Sequence, residues 1–165
     1  RDFLIVLIFL STGMRCSALY KLDLDSINFS NKTLTANDKG DNVRIYTLSD
    51  NVIAAISDWL IKREQILDGI NENALFISNQ RTRMDQSSIY RVVNKYANGI
   101  KGKHITPHKL RATYGTQLLK ATGDIYFVQK CMGHSDPKTT EIYIRGQEDA
   151  NMERGMEIMT KIIEI

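Results

Sequence analysis

A tyrosine late in the chain, Tyr143, has neighbours that could make its hydroxyl reactive. It lies nine positions after His134 in the segment Gly-His-Ser-Asp-Pro-Lys-Thr-Thr-Glu-Ile-Tyr. A phenol is a weak nucleophile at neutral pH because its ordinary pKa is about 10, so a reactive tyrosine needs a base and cations that hold a phosphate. Candidates for these roles occur earlier in the chain: Arg15, Lys39, His108 and Arg111. These residue types predict a site in which a tyrosine oxygen attacks a phosphate.

His108 and Arg111 follow Pro107, which suits the first position of a helix because proline lacks the N–H that would be unpaired there. Their spacing of three places an imidazole and a guanidinium on one helical face, and a helix N-terminus itself attracts phosphate. Each residue taken alone also fits an ordinary role. Lys39 could serve solubility in a turn, His134 a hydrogen bond at a helix end, and Tyr143 partly buried packing.

A basic segment runs from Arg81 to Arg111, with eight lysines and arginines against Asp85 alone, although the whole chain carries a net charge of only +3. Such clustering suits a polyanion such as DNA, and a solvated basic face without a partner is the alternative. The DNA-binding candidates in this strip are Arg81, Arg83, Arg91, Lys95, Lys101, Lys103 and Lys109.

Hydrophobic spacing and capping residues predict the helices that position these groups. The first is an apolar core helix over Asp2 to Thr12 that ends at Gly13, followed by a short helix over Ser17 to Leu22. A helix from Ser49 or Asp50 to Leu67 should bury Trp59. The remaining helices are expected to begin at Ser87 or Ser88, with Ile89, Val92, Val93 and Tyr96 on one face, at Pro107, at Asp124, and at Pro137.

Three short runs rich in Ile, Val, Thr and Tyr predict a small antiparallel sheet. They are Ser26 to Phe29, Thr33 to Thr35, and Val43 to Leu48, and the last two flank a turn that carries Lys39. The fold class that follows is mainly α (α+β), with a three-stranded antiparallel sheet.

Length and composition fit one folded domain of 165 residues. The long apolar run, Phe3 to Leu10, is far shorter than the roughly 20 residues of a membrane-spanning helix, so a buried helix and no membrane association are expected. Two cysteines without metal-ligand spacing, Cys16 and Cys131, favour a reducing cytoplasm. The chain begins within a helix and without Met, which indicates a fragment of a longer protein.

Five motifs occur together in one order: Thr-Gly-Met-Arg-Cys-Ser-Ala-Leu, a hairpin Lys-Gly, Pro-His-Lys-Leu-Arg-Ala-Thr, Met-Gly-His-Ser and Thr-Thr-Glu-Ile-Tyr. As a set they resemble the catalytic domain of tyrosine recombinases, the phage-type integrase family, over almost the whole chain to Tyr143. The resemblance implies site-specific DNA strand exchange for a phage or integrative mobile element. It also implies that an N-terminal DNA-clasping domain is absent from these 165 residues.

The resemblance assigns a role to each candidate. Tyr143 attacks a DNA phosphate to give a 3'-phosphotyrosyl link and a free 5'-hydroxyl, without metal, ATP or another cofactor. Arg15 and Arg111 hold the phosphate, and His108 accepts the tyrosine proton. His134 donates a hydrogen bond to a phosphate oxygen. Lys39 protonates the departing 5'-oxygen.

Three departures from the family pattern carry expectations of their own. Ala18 stands where the family usually has an acidic residue, so an acidic partner for the Arg15 region is expected to be absent. The hairpin at 38–42 has fewer positive charges than usual, which predicts a weaker grip on DNA. Arg145 replaces the more common histidine two residues after Tyr143.

Residues 148–165 are expected to form a terminal helix with an apolar stripe, listed as Met152, Met156, Met159, Ile162 and Ile163. Packing on its own domain is one reading. The resemblance favours docking on a neighbouring protomer in a synaptic tetramer on double-stranded DNA. Two other functions remain open: a catalytically inert DNA-binding module of the same fold, and a type IB topoisomerase.

Overall fold

The computed structural model describes residues 1–38, 42–97 and 105–133. The chain divides into two compact units, residues 1–114 and 115–165. The elements in chain order are α1 (Asp2–Thr12), α2 (Cys16–Leu19), β1 (Ile27–Asn28), β2 (Thr33–Asn37), β3 (Val43–Thr47), α3 (Asp50–Leu67), α4 (Gln86–Ala97), α5 (Pro107–Thr122) and α6 (Ile125–Met132). The fold is mainly helical with one small antiparallel sheet, which confirms the predicted class.

The first helix, α1, has the predicted bounds and packs against α3 and α4. Its buried face recurs at helical spacing and comprises Leu4, Ile5, Ile8 and Phe9. Phe3 and Leu10 are exposed because they lie off this face. The expectation that the whole apolar run is buried is therefore wrong for these two residues.

Gly13 ends α1 in the left-handed conformation, with φ 61°, and its N–H donates to the carbonyl of Phe9 at 3.0 Å. A Cβ at this position would overlap the ring of Tyr114. Glycine is therefore required here for two reasons: the left-handed backbone angle and the close approach of an aromatic ring.

We expect Gly13→Ala to lower the free energy of unfolding substantially. The left-handed backbone costs an alanine about 1 to 2 kcal/mol, and displacement of the Tyr114 ring adds about 1 to 3 kcal/mol, as overpacking does elsewhere. Urea denaturation measures the sum. Gly69→Ala is the matched control, because Gly69 has φ 84° and nothing lies within 4 Å of its ideal Cβ position. Equal losses in the two variants would show that the Tyr114 contact is unimportant.

The sheet has the order β1-β2-β3, and both pairs are antiparallel. In the β2–β3 register Leu34 pairs with Tyr46 and Ala36 with Arg44. Cross-strand partners point to the same face of a sheet, so Arg44 and Tyr46 share a face with two buried residues of β2. The aliphatic residues of β3, Val43 and Ile45, are exposed on the other side.

Helix α3 carries Trp59 into the core, as predicted, and the indole N–H donates to the carbonyl of Leu75 at 2.8 Å. Arg63 on the same helix is buried, and its guanidinium donates to the carbonyls of Ala74, at 2.9 Å, and Glu72. These bonds fix the loop after α3 against the helix, because buried carbonyls need donors.

Helix α4 begins one residue before the predicted positions, because the carboxylate of Asp85 accepts from the Ser88 amide at 2.7 Å and caps the helix. Ile89, Val92 and Val93 are buried as predicted. Tyr96, at the end of the same face, is exposed and does not extend its buried part. Its hydroxyl donates to the Asp2 carboxylate at 3.3 Å.

The described part of the second unit comprises the end of α5 and all of α6. Asp124 caps α6 by accepting from the Phe127 amide at 2.9 Å, and Gly133, with φ 62°, ends it. Both termini are those that the sequence predicts. Val128 and Met132 are buried, whereas Tyr126 and Phe127 are exposed.

Candidate active site

Arg15 lies in extended backbone between α1 and α2, with φ −77° and ψ 149°. Its guanidinium donates to the carboxylate of Asp38, the residue that follows β2. The Arg15 side chain is 32% exposed, whereas that of Asp38 is 4% exposed. The expectation that Arg15 lacks an acidic partner is therefore wrong: the partner comes from the base of the hairpin instead of from α2, where Ala18 is buried.

Arg111, on α5, is buried, with 5% of its surface exposed, and its guanidinium donates to the carbonyl of Gly13. Burial lowers the pKa of Arg111, and the nearby charges of Arg15 and Arg44 lower it further, while Asp38 acts in the opposite direction. Three guanidiniums therefore lie near one another. We call Arg15, Arg44 and Arg111 the arginine cluster.

Strand β3 contributes Arg44 to this cluster and also carries Tyr46. Neither residue was predicted from the sequence. The guanidinium carbon of Arg44 lies 5.2 Å from the centroid of the Tyr46 ring. Burial raises the pKa of Tyr46, whose hydroxyl has no hydrogen-bond partner among the described residues. A signal was present in the period of two along Val43–Thr47, which puts Arg44 and Tyr46 on one face.

His108 is exposed in the first turn of α5, three residues before Arg111. The start of this helix is fixed at Pro107, as predicted, with the Lys109 amide donating to the Thr106 hydroxyl at 3.3 Å. Of the six predicted catalytic residues, the structure brings Arg15 and Arg111 together and puts His108 on the helix that carries Arg111. Lys39, His134 and Tyr143 lie outside the described residues.

In the predicted DNA-binding strip, Arg83 forms hydrogen bonds with other groups of the protein. Its guanidinium donates to the Asp23 carboxylate and to the carbonyls of Tyr20, at 3.2 Å, and Leu22, at 3.1 Å. These contacts tie the loop before α4 to the segment after α2. Arg83 thus has a structural role in addition to its charge.

The other described members of the strip are exposed. Arg91 donates to the Ser88 hydroxyl at 2.8 Å, Lys95 lies 3.7 Å from the Asp2 carboxylate, and Arg81 lies 3.9 Å from that of Asp68. Exposed ion pairs of this kind contribute little to stability. Lys109 is exposed beside His108 on α5, while Lys101 and Lys103 lie outside the described residues.

Cys16 follows Arg15 directly, and burial raises the pKa of its thiol to about 11. At neutral pH it is therefore protonated and a poor nucleophile. Within 1–38, 42–97 and 105–133 no group of three or more His, Cys, Asp or Glu side chains could hold a metal ion. In the same residues no helix combines the length and hydrophobicity needed to cross a bilayer.

The chemistry that the arginine cluster suits is the binding of a phosphoryl group. Guanidiniums bind phosphate oxygens through paired N–H groups, and donors already held in place stabilise charge that develops during attack on phosphorus. The Gly13 carbonyl holds the Arg111 guanidinium, and the Asp38 carboxylate holds that of Arg15. Both guanidiniums are therefore donors already held in place.

The family model for the phage integrase family matches residues 1–149. The chain belongs to this family. Among named relatives, the tyrosine recombinase XerC of Alcanivorax borkumensis is 34% identical over 145 residues, covering 87% of this chain and 47% of the relative. XerC of Actinobacillus pleuropneumoniae is 33% identical over 145 residues, covering 87% and 46%. The chain therefore spans about half the length of the curated relatives it matches.

Solved structures of integrase-family proteins share the fold. The crystal structure of XerA recombinase superposes with a TM-score of 0.79 at 31% identity, covering 95% of this chain and 57% of that one. XerH recombinase, in a post-cleavage complex with its palindromic difH substrate, gives 0.76 at 27% identity, covering 94% and 45%. The fold that the resemblance implied is thus confirmed.

Proposed function

We propose that this integrase-family chain is the catalytic domain of a site-specific DNA recombinase. The observation that carries the proposal is the meeting of Arg15 and Arg111, from distant parts of the chain, in one cluster of guanidiniums. Support comes from the family match over residues 1–149, which includes Tyr143. The complex of XerH with difH shows that a relative with this fold acts on DNA.

In the proposed reaction the Tyr143 oxygen attacks a phosphorus atom of the DNA backbone. The new bond joins that oxygen to the 3'-phosphate, and the bond from phosphorus to the 5'-oxygen breaks. His108 accepts the phenol proton and Lys39 supplies a proton to the departing 5'-oxygen. Attack by the 5'-hydroxyl of another strand reverses these transfers and completes the exchange.

The arginines act on the phosphate throughout this sequence. Arg15 and Arg111 bind its non-bridging oxygens and stabilise the charge that builds up during in-line attack, and His134 adds a hydrogen bond. The exposed position of His108 on the first turn of α5 leaves it accessible to a bound duplex. No role in this scheme calls for a cofactor.

Double-stranded DNA is the proposed partner. Arg81, Arg91, Lys95 and Lys109 would contact phosphates from exposed positions, and Lys101 and Lys103 complete the strip in the sequence. Arg83 would contribute less, since the Asp23 carboxylate that it binds offsets its charge. Phosphate contacts of this kind place the protein on DNA without reading its sequence.

We further propose that residues 148–165 form a helix that docks on a neighbouring protomer in a tetramer of the recombinase on DNA. The support is the apolar stripe of that segment. Origin in a phage or integrative mobile element stays a prediction, as does a cytoplasmic location. A terminal helix that binds a neighbouring protomer would couple assembly to activation.

Covalent capture tests the proposed function. We would enrich duplexes that bind the full chain from a randomised pool and remake them with sulfur at the bridging 5' position of the central phosphates. The 5'-sulfur leaves as a thiolate without the help of a proton donor, and the resulting thiol religates poorly, so a recombinase accumulates as a protein–DNA adduct. We expect an adduct that survives denaturant. An inert DNA-binding module would bind the same duplexes and form none.

A further inference from the structure

Asp38 joins two parts of the candidate site. Its amide donates to the Asn42 carbonyl at 2.8 Å, which continues the β2–β3 pairing toward the hairpin turn. Its carboxylate, almost completely buried, accepts from the Arg15 guanidinium. Asp38 thus fixes Arg15 to the base of the hairpin, and the next residue in the sequence is Lys39.

The surroundings of Asp38 are strongly positive. Arg15 and Arg44 both lower the pKa of Arg111 because like charges repel, whereas Asp38 raises it. The repulsion between like charges is strong where water is excluded, and a carboxylate among three guanidiniums offsets it. Helix α2, with the sequence Cys-Ser-Ala-Leu, supplies no acidic group.

We propose that Asp38 is a positioning residue for the strand-transfer reaction. Its carboxylate orients the Arg15 guanidinium so that Arg15 and Arg111 meet the same phosphate. The proposal rests on the proposed function. A guanidinium has five N–H donors in a fixed plane and can bind a carboxylate and a phosphate at the same time, so the ion pair is compatible with DNA binding.

An inhibitory role for Asp38 would change the rate of covalent capture in the opposite direction. If Asp38 competed with DNA phosphate for Arg15, its removal would make capture faster. If Asp38 positions Arg15, its removal leaves the guanidinium in many orientations and makes capture slower. The sign of the change therefore separates a positioning residue from an inhibitory contact.

The experiment compares the full chain with its Asp38→Asn and Asp38→Glu variants on the sulfur-bridged duplexes. At saturating DNA, we expect Asp38→Asn to slow adduct formation on the order of 10- to 100-fold, the scale of a displaced catalytic group. The Kd for DNA should be unchanged or lower, because a negative charge near the phosphate has been removed. Asp38→Glu keeps the charge and should recover much of the rate.

Asp23→Asn is the matched control, because it removes the carboxylate of another arginine–aspartate ion pair, that of Arg83, which is not a member of the arginine cluster. It should lower the melting temperature without slowing capture at saturating DNA. An Asp38→Asn rate equal to or above that of the unchanged chain would overturn the positioning role. So would an equal loss of rate in Asp23→Asn, which would indicate general destabilisation. If the unchanged chain forms no adduct, the proposed function itself fails.

Discussion

Replacement of Tyr143 by phenylalanine is expected to abolish the covalent protein–DNA adduct. Phenylalanine lacks the oxygen that forms the bond to phosphorus, and the water that could replace it leaves no protein attached to DNA. The Kd for the duplex should change by less than about tenfold, since at most one hydrogen bond is removed. Denaturing electrophoresis of the sulfur-bridged duplexes measures the adduct, and a filter-binding titration measures the Kd.

Tyr126→Phe is the control for the loss of a tyrosine hydroxyl. Tyr126 is exposed on α6, and its variant should form adduct at the unchanged rate. An adduct that persists in Tyr143→Phe would show that another residue is the nucleophile. Loss of the adduct in both variants would point to a general effect on the second unit.

Arg111→Lys is expected to slow adduct formation on the order of 100-fold, the usual effect of removing one donor that stabilises charge in a transition state. Lysine keeps the positive charge but loses the planar guanidinium that binds the Gly13 carbonyl and can pair with two phosphate oxygens. The loss should fall on the rate at saturating DNA more than on the Kd. Single-turnover kinetics over a range of DNA concentrations separate the two.

Arg63→Lys provides a matched control, because Arg63 is another buried arginine whose guanidinium donates to backbone carbonyls. Both substitutions should lower the melting temperature, and only Arg111→Lys should slow capture. Equal slowing by the two variants would mean that Arg111 acts through stability alone.

Much of the fold follows from local sequence signals. α1, α3, α5 and α6 begin or end where Gly13, Asp50, Pro107 and Asp124 predict, because a cap or a left-handed residue acts within one turn. Elements without such signals have bounds that differ from the predicted ones. α2 is a single turn over Cys16–Leu19. β1 is reduced to Ile27–Asn28 because these are the residues that pair with β2.

The faces of β3 were harder to predict. Alternation along Val43–Thr47 is clear, but the rule that hydrophobic residues point inward would bury Val43 and Ile45. The structure exposes both and turns Arg44 and Tyr46 inward. Pairing with β2 sets these faces, because Leu34 and Ala36 are buried and pair with Tyr46 and Arg44. That pairing cannot be deduced from the residues of β3 alone.

The partner of Arg15, Asp38, was also not predicted from the sequence. Its pairing with Arg15 joins residues far apart in the sequence, so spacing cannot predict it. The absence of an acidic residue at Ala18 suggested that Arg15 had no partner, yet the hairpin supplies one. The convergence of Arg15 and Arg111 was predicted and is observed, whereas the places of Lys39, His134 and Tyr143 stay predictions.

Mapping the attachment point of the DNA identifies the nucleophile. The trapped adduct would be digested with nuclease and trypsin and its modified peptide sequenced by mass spectrometry. Cleavage after Lys138 and Arg145 gives Thr-Thr-Glu-Ile-Tyr-Ile-Arg, in which Tyr143 is the sole tyrosine. We predict a nucleotide joined through its 3'-phosphate to the phenolic oxygen of Tyr143. A nucleotide on any other side chain, with Tyr143 unmodified, would contradict the account.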